Sequence, residues 1–278
     1  MKRRSVGLGA VMAAVALTAC GASPASTALK QTSAHLHDVH RGSLDLKMLS
    51  SLANGQDASG FEVAGPFAVA PAEGQLPTAD LTYTQISGAD RRATSVVLTG
   101  GQGYLVDKGQ AYVLTDVQLA SLRAPKGSGG DAGLAGLNLK AWAKDLKLTG
   151  PEQPFDADTV TGRVEPVAAM NDLLALAARL GNDSSRQLPR LQGADAAEFT
   201  KAVRSARLVL VTGHRDRILR SLVITFDLAA SQSSRLRAAL GKLANVRLTV
   251  DLTLADVNKP VHVTAPANPQ PISTRPKP

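Results

Sequence analysis

The feature that most constrains this chain is the run Val246-Arg247-Leu248-Thr249-Val250-Asp251-Leu252-Thr253-Leu254, an unbroken alternation of apolar and polar residues. A period of two is the signature of a strand with one buried and one solvated face, and it forbids an amphipathic helix. The spacing predicts Val246, Leu248, Val250, Leu252 and Leu254 inward, with Arg247, Thr249, Asp251 and Thr253 toward solvent. Shorter runs of the same kind recur. Ser43 to Met48, Gly60 to Ala70, Leu81 to Ile86, Arg92 to Thr99, Tyr104 to Val106 and Ala111 to Leu114 are predicted strands. The turn chemistry of Ser87-Gly88-Ala89-Asp90, Gly100-Gly101-Gln102-Gly103 and Asp107-Lys108-Gly109-Gln110 separates the later ones, which is hairpin spacing and implies an antiparallel meander. Thr159 to Val164, Arg207 to Thr212, Ile218 to Leu228 and Val261 to Val263 extend the strand pattern into the second half.

Helical periodicity is confined to a few segments. Lys30 to His40 is weakly helical up to Gly42, and Asn138 to Lys147 reads as a short helix. Pro166 opens a strongly periodic stretch through Val167, Met170, Leu173, Leu174, Ala177 and Leu180, which Gly181 stops. Ala194 to Ser205 and Ser231 to Leu243 are further candidates. Runs of strands separated from runs of helices indicate α+β with a curved antiparallel sheet, a half-barrel wrapping its helices, rather than a doubly wound nucleotide fold.

The N-terminus is read separately. Lys2, Arg3 and Arg4 precede an apolar run from Val6 to Ala16 and the small residues before Cys20. A basic start, a short apolar middle and a small-residue cleavage site make an export signal, and the run is shorter than the roughly 20 residues that a spanning helix needs. Leu17-Thr18-Ala19-Cys20 resembles the lipobox of bacterial lipoproteins, which implies that Cys20, the single cysteine, becomes the lipidated N-terminus. Residues 1–19 are then the signal, 20–29 a small-residue tether, 30–265 a single domain and 266–278 a Pro-rich tail, with neither end packing. Loss of Lys2, Arg3 and Arg4 takes the formal charge from +8 to +5. Without a dense Lys/Arg run or interleaved aromatics, nucleic acid is not an expected partner.

The order of elements resembles the cell-envelope lipoproteins of the LppX/LprG type, whose fold is like that of the periplasmic carrier LolA. Three stretches carry the likeness. The first is the lipobox and leading helix into Ser43-Leu44-Asp45-Leu46. The second is Thr161-Gly162-Arg163-Val164 followed by the helix at Pro166 to Leu180. The third runs from Leu210-Val211-Thr212-Gly213 through Ile218 to Leu222 and ends in Leu248 to Leu254, Pro260-Val261 and Pro266. The chain departs from the pattern by an insert at Asn182 to Gln192 and by its 3% aromatic content. The resemblance implies a monomeric lipoprotein, anchored on the extracytoplasmic face of the cell membrane, that binds the acyl chains of an envelope lipid or lipoglycan in an apolar cavity and carries or presents it. An envelope exporter would be its protein partner, with no cofactor and no metal. The alternative is an envelope interaction lipoprotein with a filled core. Candidate lining residues are the aliphatic strand faces Leu222, Ile224, Phe226, Leu248, Val250 and Leu252.

Enzyme chemistry finds little support. No G-x-S-x-G, S-x-x-K, H-E-x-x-H or G-x-x-x-x-G-K-[ST] occurs. Gly127-Ser128-Gly129-Gly130 reads as a linker. His35, His37 and His40 have metal-ligand chemistry, but on a helix only positions 37 and 40 share a face, so a solvated helix end is expected. Asp156 and Asp158 would share a strand face, and a polar loop is expected there rather than an acid/base pair. Arg204, Arg207, Arg215, Arg217 and Arg220 form a basic region, read as a solvated rim or as a contact for anionic lipid headgroups.

Overall fold

The computed structural model describes residues 23–52, 58–120, 122–123, 137–152, 156–180, 190–229 and 246–275. The signal, Cys20, the Gly127–Gly130 linker, the Asn182 insert up to residue 189 and the Ser231–Leu243 helix candidate lie outside them. The first meander comprises β1 (Arg41–Leu52), β2 (Ser59–Ala68), β3 (Thr78–Ser87), β4 (Asp90–Thr99), β5 (Gly103–Asp107) and β6 (Gln110–Val113). The second comprises β7 (Ala143–Glu152), β8 (Ala157–Val164), β9 (Val203–Gly213), β10 (Leu219–Leu228) and β11 (Val246–Ala255), and β12 is the two-residue segment Gln270–Pro271. All twelve form one sheet in the order β12-β6-β5-β4-β3-β2-β1-β11-β10-β9-β8-β7. Every pairing is antiparallel except β12 with β6, and the two ends of the sheet do not pair, so the barrel is open.

Among the described residues five α-helices accompany the sheet: α1 (Pro24–Ala34), α2 (Asp116–Ala120), α3 (Leu139–Trp142), α4 (Pro166–Leu180) and α5 (Gly193–Ala202). The bounds of α4 are those its periodicity requires. β11 also keeps its expected register, with Val246, Val250, Leu252 and Leu254 buried while Arg247 and Thr253 are exposed.

Four expectations change. The leading helix starts at Pro24 rather than Lys30, capped by the Ser23 hydroxyl, which accepts from the Ser26 amide at 3.2 Å. Ala25, Ala28 and Leu29 are buried in the main core, so the stretch expected to be a tether up to residue 29 packs from Pro24 onward. The segment expected as a helix from Asn138 to Lys147 gives one turn, α3, and then becomes β7. Two register shifts against β8 break the alternation by which a strand is recognised. Val261 to Val263 form no strand. Lastly, the Pro-rich tail packs. Gln270 and Pro271 pair with Tyr112 and Val113 on the edge of β6, Ile272 joins a small apolar cluster, and Arg275 Nη2 lies 2.8 Å from Asp107 Oδ2. Proline suits this place because an edge strand leaves one row of its amides unused.

Curvature has a local cause in β2. Gly65 has a φ of +143°, and a Cβ there would lie 1.9 Å from the Asp80 carbonyl oxygen, while Pro66 follows directly within the strand. Only glycine allows that approach, and such kinks are how a sheet is made to coil.

One end of the sheet is tied by a polar cluster at the β9–β10 turn. Asp158 is 1% exposed, accepts from the Arg217 guanidinium, and lies 2.9 Å from His214 Nδ1. Arg217 turns back toward it from a left-handed φ of +54°. Beside it, Thr212 accepts from Thr32 of α1 at 2.8 Å, so helix and sheet are joined by buried hydroxyls. Burial alone would raise the Asp158 carboxyl, but the Arg217 and His214 bonds outweigh it and hold it below its ordinary value of 3.8.

Gly65→Ala should lower stability by roughly 2–4 kcal/mol, a fall of about 10 °C in thermal unfolding followed by circular dichroism, whereas Gly101→Ala, in open space, should not. A depressed carboxyl contributes stability that is present above the unfolded value and lost as pH falls through the folded one. Asp158→Asn should therefore cost roughly 2–3 kcal/mol at pH 7 by stranding the half-buried Arg217, and the deficit should shrink below about pH 4 in melts taken across pH.

Candidate functional site

Alternation along each strand sorts the sheet into an inner and an outer face, and two apolar clusters fill parts of the inner one. The larger lies beneath α1, α3, α4 and α5 and draws on β1 and β8 to β11. Its members include Leu29, Trp142, Met170, Leu173, Phe199, Leu208 and Leu210. Two anchors hold its roof. Trp142 Nε1 donates to Asp172 Oδ2 at 2.8 Å, and Asn171 exchanges two hydrogen bonds with the Leu191 backbone. The smaller cluster, Leu76, Ala79, Leu98, Leu114 and Leu119, sits against β3 to β6 under α2 and the C-terminal segment.

The candidate lining residues divide between roof and opening. Leu222, Ile224, Phe226, Val250 and Leu252 are each at most 1% exposed and belong to the larger cluster. The reason is visible at Phe226. The ring of Phe199, from α5, sits over it with centroids 6.2 Å apart. Leu248 is only half-buried, at the border of that cluster.

Beyond Leu248 the inner-face side chains are less completely buried. Met48 and Phe61 face each other across β1 and β2, and Phe61 stacks on Tyr83 of β3 at 5.8 Å with the planes 24° apart. Tyr83 is 44% exposed and Leu52, the last residue of β1, 37%. These inner-face positions make an apolar strip that continues the core outward along β1 to β3. Ser50, between Met48 and Leu52, places its hydroxyl there, buried and without a hydrogen-bond partner among the described residues. Sequence reading missed Met48, Phe61 and Tyr83. The signal was present as alternate positions in three short runs, but nothing local says which inner faces a helix will cover.

The five arginines separate. Arg215, Arg217 and Arg220 pair with Asp156, Asp158 and Asp216 around the β9–β10 turn. Arg204 stands at the other end of β9, roughly 30 Å from the turn at the strand rise of about 3.3 Å per residue, and Arg207 near its middle, roughly 20 Å away. Asp156 and Asp158 likewise serve different partners, one exposed and one buried, and do not face each other as an acid and a base would.

His35 and His37 fall on a 3₁₀ turn, where both rings reach Asp38, at 2.6 and 3.0 Å. The His35 hydrogen bond is the main cause that lowers the Asp38 carboxyl. His40 is engaged through its backbone amide, which donates to Asn258. Among the described residues no group of three or more His, Cys, Asp or Glu side chains could hold a metal. On the outer face, Lys47 sits between Asp45 and Glu62 and its ammonium is held above the usual range, chiefly by the Asp45 bond. Among the described residues no helix is long and apolar enough to cross a membrane.

No protein-family model matches the chain, and no curated protein matches it in sequence. Its structural neighbours include mycobacterial proteins of the LppX/LprG type. The chain is similar to the crystal structure of LprF from Mycobacterium bovis, at 13% identity and a TM-score of 0.45, over 88% of this chain and 97% of that one. It is similar to the Mycobacterium tuberculosis lipoprotein LppX at 12% identity and a TM-score of 0.39, over 87% and 100%. A LolA superfamily protein from Nitrosomonas europaea aligns at 9% identity and a TM-score of 0.20, over 85% and 96%.

Proposed function

We propose that this chain is an envelope lipoprotein, anchored through Cys20, that takes acyl chains of a lipid or lipoglycan onto the inner face of its open sheet. The observation that carries the reading is the apolar strip of Leu52, Met48, Phe61 and Tyr83, incompletely buried beside a packed core. Moving hydrocarbon from bilayer to such a strip needs no catalytic group, and burial is worth roughly 0.8 kcal/mol per CH₂ relative to water. Leu248 would be the first of the aliphatic strand residues that a chain meets. Leu222, Ile224, Phe226, Val250 and Leu252 would form the floor, reached only where a helix of the roof moves aside.

The second reading, an interaction lipoprotein that docks an envelope partner, is favoured by the burial of those five side chains at 0–1% exposure. Both readings need the anchor and differ in what the strip contacts.

The anchor is tested by Cys20→Ala, which should release the protein from the membrane fraction or leave its signal uncleaved. A variant that is processed and stays membrane-bound would sink the lipoprotein reading. For the carrier, native mass spectrometry of the purified full chain should detect an acyl lipid that solvent extraction removes. Phe61→Asp should reduce its occupancy at least fivefold with little change in melting temperature, since the ring is already part-solvated. Val250→Trp should instead destabilise the core. If extraction changes nothing and no lipid is taken up, the docking reading stands.

A further inference from the structure

The strand–helix and helix–strand junctions in the middle of the second meander meet at one place. β8 runs into α4 through Val164, Glu165 and Pro166, and α5 runs into β9 through Val203 and Arg204. Between them lies a cleft of about 640 Å³ that also takes in Lys144, Arg163 and Arg207. It wraps the end of the sheet, combining inner-facing Val164 and Ala206 with outer-facing Arg163 and Arg207.

Register makes the charge arrangement unusual. Lys144 is opposite Arg163, and Arg163 is opposite Arg207, so three cations stand side by side across β7, β8 and β9. Like charges in directly opposed positions repel, and a structural sheet avoids them. Local acids answer only part of this row. Glu165 holds Lys144 at 2.5 Å, and Asp145 holds Arg163 at 3.5 Å with both partners largely solvated. Asp227, whose carboxyl feels the charge of Arg207, is already engaged by Arg247 at 2.8 Å and the Ser205 hydroxyl at 2.7 Å. Its carboxyl is lowered chiefly by the Ser205 bond and then by Arg247, with a smaller effect from Arg207. Arg204 has no ion pair among the described residues. The positive end of the fifteen-residue helix α4 opens on the same cleft and adds to its field.

The same row places the cleft. Lys144, Arg163 and Arg207 continue through Thr225 and Thr249 to Leu49, the residue between Met48 and Ser50 on β1. The basic row is therefore level with the apolar strip along the strands but on the opposite face of the sheet, and Arg207 is three strand spacings, about 14 Å, from β1.

We propose that this cleft is a binding site for a phosphate-bearing anion, gripped by Arg204 and Arg207 with Lys144 and Arg163 at its margin. Two guanidiniums offer the forked donors that phosphate oxygens accept in pairs. The phosphate could belong to a lipid headgroup or be free, and the lipid-binding reading bears only on that choice of source. Probes without acyl chains keep the two ideas separable. The purified full chain would be titrated calorimetrically with glycerophosphoglycerol, a phosphodiester headgroup lacking its tails, and with inorganic phosphate. Saturable binding that weakens at least tenfold in Arg204→Gln/Arg207→Gln, with the melting temperature held within a few degrees, is the expected result. Tighter binding of the diester identifies a headgroup source, and tighter binding of inorganic phosphate a free one. The proposal is overturned if neither probe saturates, or if the double variant binds as well as the parent.

Discussion

Everything in this molecule hangs on the pairing of β1 with β11. Ten residue pairs, from Ser43 with Ala255 to Leu52 with Val246, join segments about two hundred residues apart and weld two meanders into one sheet. Each meander pairs strands that follow one another in the chain, by short turns through most of the first and with α4 and α5 inserted between β8 and β9 in the second. Only this ladder carries the inner face continuously from one to the other. It sets Leu44 and Leu46 of the first meander into the same cluster as Leu252 and Leu254 of the second. A pairing of such separation closes late and against considerable loop entropy, so its side chains must be strongly specified. The uninterrupted alternation of β11 supplies that specification, because a slip of one residue would bury Arg247 and Asp251.

The welded sheet is roofed unevenly, and the cause lies in the order of elements. α3, α4 and α5 all belong to the second meander, and α1 joins them through α3, β7, β8 and the Thr32–Thr212 hydrogen bond. Among the described residues the first meander brings α2, and the C-terminal segment joins it over the smaller cluster on β3 to β6. That segment also protects an edge. β12 pairs with β6, and the Arg275–Asp107 ion pair pins it, while the opposite edge, β7, is disrupted by bulges and a left-handed Asp145. Both are ways to stop a sheet from recruiting a second one.

Much of this was legible in the residues. Periodicity located nearly every strand and hairpin of the first meander, the whole of α4 and the facing of β11, because each depends on local alternation or local turn chemistry. What could not be read is tertiary. β7, with the sequence Ala-Lys-Asp-Leu-Lys-Leu-Thr-Gly-Pro-Glu, has its alternation broken by two register shifts, so it resembles no ideal strand. The tail reads correctly as extended, but its seat on β6 depends on an edge that composition does not reveal. The same holds for the candidate lining. Alternation says that Phe226 and Phe61 both point inward, but Phe199 arriving from α5 is what seals one and leaves the other half-open.

The sheet is consequently polarised along its strands. Around the β9–β10 turn its end is tied: Asp158 and Thr212 are buried, and Asn258 bridges the backbones of Asp38 and His40. At the other end the inner-face side chains Met48 and Leu52 are incompletely buried, level with an under-neutralised row of basic side chains on the outer face. The row lies on the outer face and the strip on the inner one, so the two share a level along the strands but not a face. Repulsion within the row costs stability, as does the exposure of Tyr83. Their occurrence at one level of the sheet sets that region apart from the β9–β10 end, where Asp158 and Thr212 are buried with partners.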